Sequence, residues 1–131
     1  MIYSPDVAFF RDAKYNLIKS PVHANVLTAP AVNLGQVIRK GENVQTAKKV
    51  MKNRMRKILD VFATEGNEVL ILGAYGAGVF RNDPVDVANN WYELLFDEGY
   101  SNYFEKVIFT VLDKQGGRCI TAFEKVYGMH A

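Results

Sequence analysis

Cysteine is nearly absent. Cys119 is alone among 131 residues, which excludes a disulfide framework. Histidine is scarce too. His23 and His130 lie far apart, without the Cys/His/Asp spacing of a zinc site. His23 reads as a loop residue and His130 as a frayed terminus, and no metal or cofactor is implied. No run approaches the ~18 apolar residues of a membrane span, so no membrane partner is expected. The start, MIYSPDVAFFRD, has no basic segment leading into an apolar one, because Asp6, Arg11 and Asp12 interrupt it. No secretory signal is expected, and a reducing, cytoplasmic setting is the reading. Neither sign of charge dominates. The 16 Lys+Arg oppose 14 Asp+Glu, a balance that does not point to nucleic acid.

What the chain does have is 49% hydrophobic residues. That is too many for a disordered state and enough for one real core. The length suits a single domain over residues 1–131.

Strand formers open the chain at Val7 to Phe10, with a polar break at Arg11-Asp12. Tyr15 to Ile18 and Asn25 to Thr28 are further short strand candidates. A long helix is predicted from about Asn43 to Glu65. Val44, Ala47, Met51, Met55, Ile58 and Phe62 recur at helical steps, Asn43 suits the N-cap and Gly66 the C′ position. Glu68-Val69-Leu70-Ile71-Leu72 and Val107 to Leu112 are continuous apolar runs, read as strands buried on both faces. Between them, Asp83 and Pro84 open a helix with Val87, Ala88, Trp91, Leu94 and Leu95 on its apolar side, and Gly99 ends it. Gln115-Gly116-Gly117 is a turn, and Ile120, Phe123 and Tyr127 line a last short helix. This alternation is α/β with a mixed or mostly parallel sheet.

The segment Gly73-Ala74-Tyr75-Gly76-Ala77-Gly78-Val79-Phe80 lies between a strand and a capped helix. There, glycines let backbone N–H groups approach an anion, and a helix N-terminus adds donors and partial positive charge. A diphosphate is the natural guest. A P-loop is excluded, since Val79-Phe80 follows Gly78 where Lys-Ser/Thr is needed. A dinucleotide fingerprint fails at Arg81, where its third glycine belongs. The plainer alternative is a loop whose glycines serve only tight packing.

Leu70 to Phe80, followed by Asn82-Asp83-Pro84 and Val87-Ala88, resembles the signature of the microbial-type poly(ADP-ribose) glycohydrolases, which are macrodomain proteins. Tyr3 to Val7 with Phe10-Arg11-Asp12 resembles a mid-chain segment of that family. Val26 to Ala31 with Asn33 resembles a second block, and Arg54, Arg56, Ile58-Leu59 and Val107-Ile108-Phe109 fall in matching order. The resemblance implies a three-layer α/β/α fold, here truncated to its C-terminal half. Family members carry a glycine triplet followed by paired glutamates in their first half. This chain has neither Gly-Gly-Gly nor Glu-Glu, so no catalytic residue is assigned. Such carboxylate chemistry needs an acid within reach of the leaving oxygen.

What the resemblance implies is binding of ADP-ribose or a related nucleotide diphosphate. Gly76, Ala77, Gly78 and Val79 would wrap the diphosphate. Phe80 would pack on a ribose or the adenine, or else plug the core beneath the loop. Thr28, Ala29, Pro30 and Asn33 would rim the cleft, with a simple turn as the plainer role of Asn33. The alternatives are half of a two-chain ADP-ribose glycohydrolase, or a protein-interaction remnant that binds no nucleotide.

Residues 39–57 hold eight of the sixteen basic side chains against Glu42 alone. That pattern is either a polyanion patch or the solvated face of the long helix, and no aromatics interleave for base stacking. Cys119 lacks a neighbouring base and reads as an idle thiol. Half a macrodomain would leave apolar strand surface uncovered. Self-association to a homo-oligomer is the favoured remedy, with a partner chain or a reduced monomeric domain as the others.

Overall fold

The computed structural model describes residues 1–129; His130 lies outside the described residues. The chain forms two compact units, Met1–Pro30 and Ala31–Ala131.

The first unit is one antiparallel hairpin of β1 (Ile2–Arg11) and β2 (Leu17–Thr28). The three short strand candidates are therefore two long strands. The polar break at Asp12 is the turn, where Asp12 accepts the N–H groups of Lys14 and Asn16. The register shifts between Ser4 and Val7. Asp6 sits at this bulge with φ +54°, its N–H donated to Asn25 Oδ1. His23 lies within β2 rather than in a loop, and its Nδ1 is 2.8 Å from Asp6 Oδ1.

The second unit contains α1 (Leu34–Arg39), α2 (Val44–Thr64), β3 (Val69–Leu72), α3 (Pro84–Tyr92), β4 (Lys106–Phe109) and α4 (Arg118–Met129). A π-helical turn, Glu93–Asp97, extends α3. Gly99, at φ +80°, then lets the chain reverse. Helix α2 follows the sequence pattern: Asn43 caps it through Thr46 N–H, Gly66 adopts φ +69°, and Ala47, Met51, Met55, Ile58 and Leu59 are buried. They pack in a core with Leu70, Leu72, Val87, Ala88, Trp91, Leu94, Leu95, Phe123 and Val126. Trp91 is 1% exposed, and a buried indole of this kind contributes several kcal/mol, of the order of 3–5 on truncation.

Strands β3 and β4 pair in parallel, Ile71 opposite Ile108. The expectation of burial on both faces does not hold. Leu70 and Leu72 point into the core, whereas Val69, Ile71 and Ile108 are exposed. A two-stranded pair covered by helices on one side alone leaves its second face uncovered. Strand β4 also ends at Phe109, short of Leu112, which is fully exposed. The architecture is mixed α/β, with one antiparallel and one parallel two-stranded sheet. Among the described residues, no helix is long and apolar enough to cross a membrane.

The basic face of α2 is in part neither a patch nor free. Lys48, Lys52 and Arg56, four residues apart, reach carboxylates beyond the helix. Lys48 pairs with Asp86 at 2.7 Å and Arg56 with Glu98 at 2.8 Å, while Lys52 binds Glu93. These groups are partly exposed, so each pair contributes at most about 1 kcal/mol. Their effect is to align α2 with α3 and the turn that follows.

Candidate functional site

The 73–80 loop leaves the carboxyl end of β3 and leads through Arg81, Asn82 and Asp83 into α3. Open α/β sheets place ligands at such ends. Its shape is fixed from both sides. Trp91 Nε1 donates to the Gly73 carbonyl at 3.1 Å. Asn82, 6% exposed, donates Nδ2 to the carbonyls of Gly76 and Val32 at 2.9 and 2.8 Å. The Asn82 N–H also reaches Gly76 O, and Gly35 N–H reaches Phe80 O, both at 3.1 Å. One buried amide thus ties the loop to the segment before α1.

Gly76 is required at this point. It adopts φ +71°, and an added Cβ would lie 2.6 Å from Ala31 Cβ and 2.7 Å from Asn82 Nδ2. Gly78 differs: a Cβ there meets nothing within 4 Å. Val79 is 92% and Phe80 36% exposed, so the loop stands open and Phe80 is no core plug. Ala77 N–H donates to Ala74 O, which removes one expected donor. The N–H groups of Gly78, Val79 and Phe80 have no protein acceptor among the described residues. Three adjacent free amides form a donor edge suited to an anion.

The N-terminus of α3 contributes less than expected. Asp83 caps it through Val85 N–H at 2.8 Å, and Asp86 lies in the first turn. These carboxylates already answer the helix dipole, so the loop amides are the available donors. Asn33 caps α1, its Oδ1 accepting Gln36 N–H at 3.1 Å. It stands one residue from Val32, whose carbonyl holds Asn82. Thr28 ends β2, and Ala29 and Pro30 follow it in the first unit.

Tyr75 lies within the loop, its ring centroid 6.4 Å from that of Trp91. Its hydroxyl is buried without a hydrogen-bond partner among the described residues. Burial pushes its pKa up, against the opposing pull of Arg54. A cleft of about 740 Å³ adjoins the loop, with Ala77, Gly78, Arg81, Lys114 and Arg118 among its lining residues. Asp113 also lines it. Burial pushes the Asp113 pKa up, but N–H groups of Cys119, Ile120 and Lys114 outweigh this and hold it low. Cys119 is pushed up by burial and by Asp113, in keeping with an idle thiol.

Asn82 and Arg81 were the residues whose roles the sequence hid. Arg81 adopts φ +58°. It stands where the dinucleotide pattern puts its third glycine, and that spacing was the available signal.

Fold and loop together define a mixed α/β protein with macrodomain-like neighbours. No protein-family model matches the chain, and no curated protein matches it. Solved structures do. The poly(ADP-ribose) glycohydrolase of Deinococcus radiodurans in complex with ADP-ribose is 39% identical, at a TM-score of 0.91 over 98% of this chain and 52% of that one. Its apo form is 40% identical, at a TM-score of 0.89 over 97% and 52%. The glycohydrolase of Thermomonospora curvata is 36% identical, at a TM-score of 0.86 over 95% and 46%. The chain is similar to these microbial poly(ADP-ribose) glycohydrolases and spans about half their length.

Proposed function

We propose that this chain is a macrodomain-like module that binds ADP-ribose or a related nucleotide diphosphate through the 73–80 loop, without hydrolysis of its own. It corresponds in this reading to the C-terminal half of the glycohydrolase fold. The observation that carries the proposal is the free donor edge of Gly78, Val79 and Phe80, held open by Asn82 and Trp91. The pyrophosphate lies along those amides. Phe80 offers its exposed ring to a ribose or the adenine. Gly76 and Ala77 shape the turn, and Asn33 steadies the α1 side. The D. radiodurans relative crystallised with ADP-ribose supports this ligand class. The open loop counts against the reading as an interaction remnant.

Catalysis is left out because the sequence carries no glycine triplet and no paired glutamates. The alternative reading, half of a two-chain glycohydrolase, follows from the same resemblance, with a second chain supplying the glutamates. In either reading the uncovered face of β3 and β4 needs a cover, and a second copy of the chain is the favoured one.

Calorimetry with ADP-ribose tests the ligand. Gly78→Asp is the informative variant, since its side chain has open space and sets a negative charge among the amides. The native chain should give a saturable heat and Gly78→Asp none. Equal binding by both would overturn the proposal.

A further inference from the structure

We infer that a cleft at the carboxyl end of α2 receives a lysine side chain from a basic peptide segment of a partner protein. This site is separate from the 73–80 loop and independent of the nucleotide reading. The cleft, of about 450 Å³, is lined by Asp60, Ala63, Thr64, Glu98, Tyr100 and Tyr103. Helix α2 ends at Thr64 and leads into β3, and Tyr100–Tyr103 form a 3-10 turn that leads into β4. The cleft therefore sits toward the amino ends of these parallel strands, whereas the 73–80 loop leaves the carboxyl end of β3. Its volume lies within the range of small-molecule sites and takes one extended side chain with room to spare.

Two aromatic rings form one wall. The centroids of Tyr100 and Tyr103 are 6.2 Å apart, with their planes at 53°, so a cation can lie within about 6 Å of both rings. Tyr103 is 67% exposed, and its ring is open to a ligand. Tyr100 is held in place, its hydroxyl donating to Asp60 Oδ1. That bond pushes the Tyr100 pKa up to about 12, so the hydroxyl keeps its proton and remains the donor. Asp60 Oδ2 has no hydrogen-bond donor among the described residues. Glu98 is taken: Arg56 donates to both its oxygens, and Lys52 Nζ lies 3.7 Å from one of them. A guanidinium fork favours two oxygens of one carboxylate, whereas an ammonium acts as a point charge. One free oxygen beside two rings suits the ammonium.

The surroundings select a basic segment. Residues 58–105 carry nine carboxylates and, as basic side chains, Arg81 alone. Arg81 follows the loop, past the carboxyl end of β3. Around the cleft, Asp60, Glu65, Glu68, Asp97 and Glu105 are exposed. Helix α2 has 21 residues and no basic residue in its last turn, so none of its own side chains there answers the negative end of its dipole. A lysine flanked by further basic residues meets this charge, and an acidic segment is repelled. Charge complementarity thus defines the partner, and the aromatic wall defines where its lysine is seated.

The test is the amide spectrum of the full chain titrated with blocked hexapeptides that alternate glycine with lysine, with arginine or with N-acetyl-lysine. The lysine peptide should give saturable shifts centred on Thr64, Tyr100 and Tyr103. The acetylated peptide, which keeps the stem and loses the charge, should give none. The arginine peptide should bind several-fold more weakly. Tyr103→Ala should weaken the lysine peptide roughly fivefold, as expected for one cation–π contact. Asp60→Asn should weaken it roughly tenfold, as expected for one charge-assisted hydrogen bond. Trp91 fluorescence in urea checks that each variant is folded. Should Asp60→Asn unfold, Tyr103→Ala decides, because its exposed ring leaves the core intact. No shifts with the lysine peptide at millimolar concentration, or shifts spread over the carboxylates without a centre at the two tyrosines, would overturn the inference. So would equal binding of the acetylated or arginine peptide, or full affinity in Tyr103→Ala.

Discussion

Replacing Gly76 by alanine strikes the loop at its tightest point. The residue holds φ +71°, and a Cβ there would sit 2.6 Å from Ala31 Cβ and 2.7 Å from Asn82 Nδ2. A left-handed backbone costs a non-glycine residue about 1–2 kcal/mol. Forcing a methyl group into packed surroundings adds about 1–3 kcal/mol. The sum, about 2–5 kcal/mol, is a large share of the ~5–15 kcal/mol that holds a typical domain together. Trp91 is the single tryptophan, buried and bonded to the start of this loop, so its fluorescence reports the transition. In urea the midpoint should fall by roughly 1–3 M. Gly78→Ala is the control. With open space and an ordinary φ, it should stay within about 0.5 kcal/mol of the native chain. A Gly76→Ala chain with an unchanged midpoint would refute the packing described around Asn82.

Two further outcomes follow from the second unit. The Arg56 guanidinium donates to both oxygens of Glu98 at 2.8 Å and, with burial opposing, holds that carboxyl below its ordinary value. A lowered pKa contributes stability at neutral pH that is lost as the pH falls through the carboxylate range. Glu98→Gln should therefore be less stable by at most about 1 kcal/mol near pH 7 and converge with the native chain on acidification; a pH-independent difference in urea unfolding would contradict the pairing. Ile71, 70% exposed on the uncovered face of β3, should drive self-association. Sedimentation should show an oligomer at micromolar concentration that Ile71→Lys dissociates, and a monomeric native chain would remove the proposed cover.

The helices were legible in the sequence because their signals are local. Asn43, Asp83, Pro84, Gly66 and Gly99 act on their own turns, and the apolar period of α2 reports the face that packs. The strands were less so. Val69-Leu70-Ile71-Leu72 reads as buried throughout, yet burial depends on what lies over each face, and nothing in four apolar residues encodes that one side is uncovered. The β1–β2 hairpin was read as three short fragments, whereas Pro5 and Asp6 are absorbed in a bulge and Pro21 lies within β2. At the loop, the glycine spacing was plain. The role of Asn82 was hidden, since its acceptor at Val32 is fifty residues away. The pairing of Lys48, Lys52 and Arg56 was hidden likewise, because their partners lie on α3 and the turn after it.

The amide spectrum of the chain titrated with ADP-ribose tests the loop most directly. Saturable shifts concentrated at Gly78, Val79 and Phe80 are the predicted result. A spectrum that does not change, or saturable shifts confined to residues away from the loop, would contradict a pyrophosphate held by those three amides.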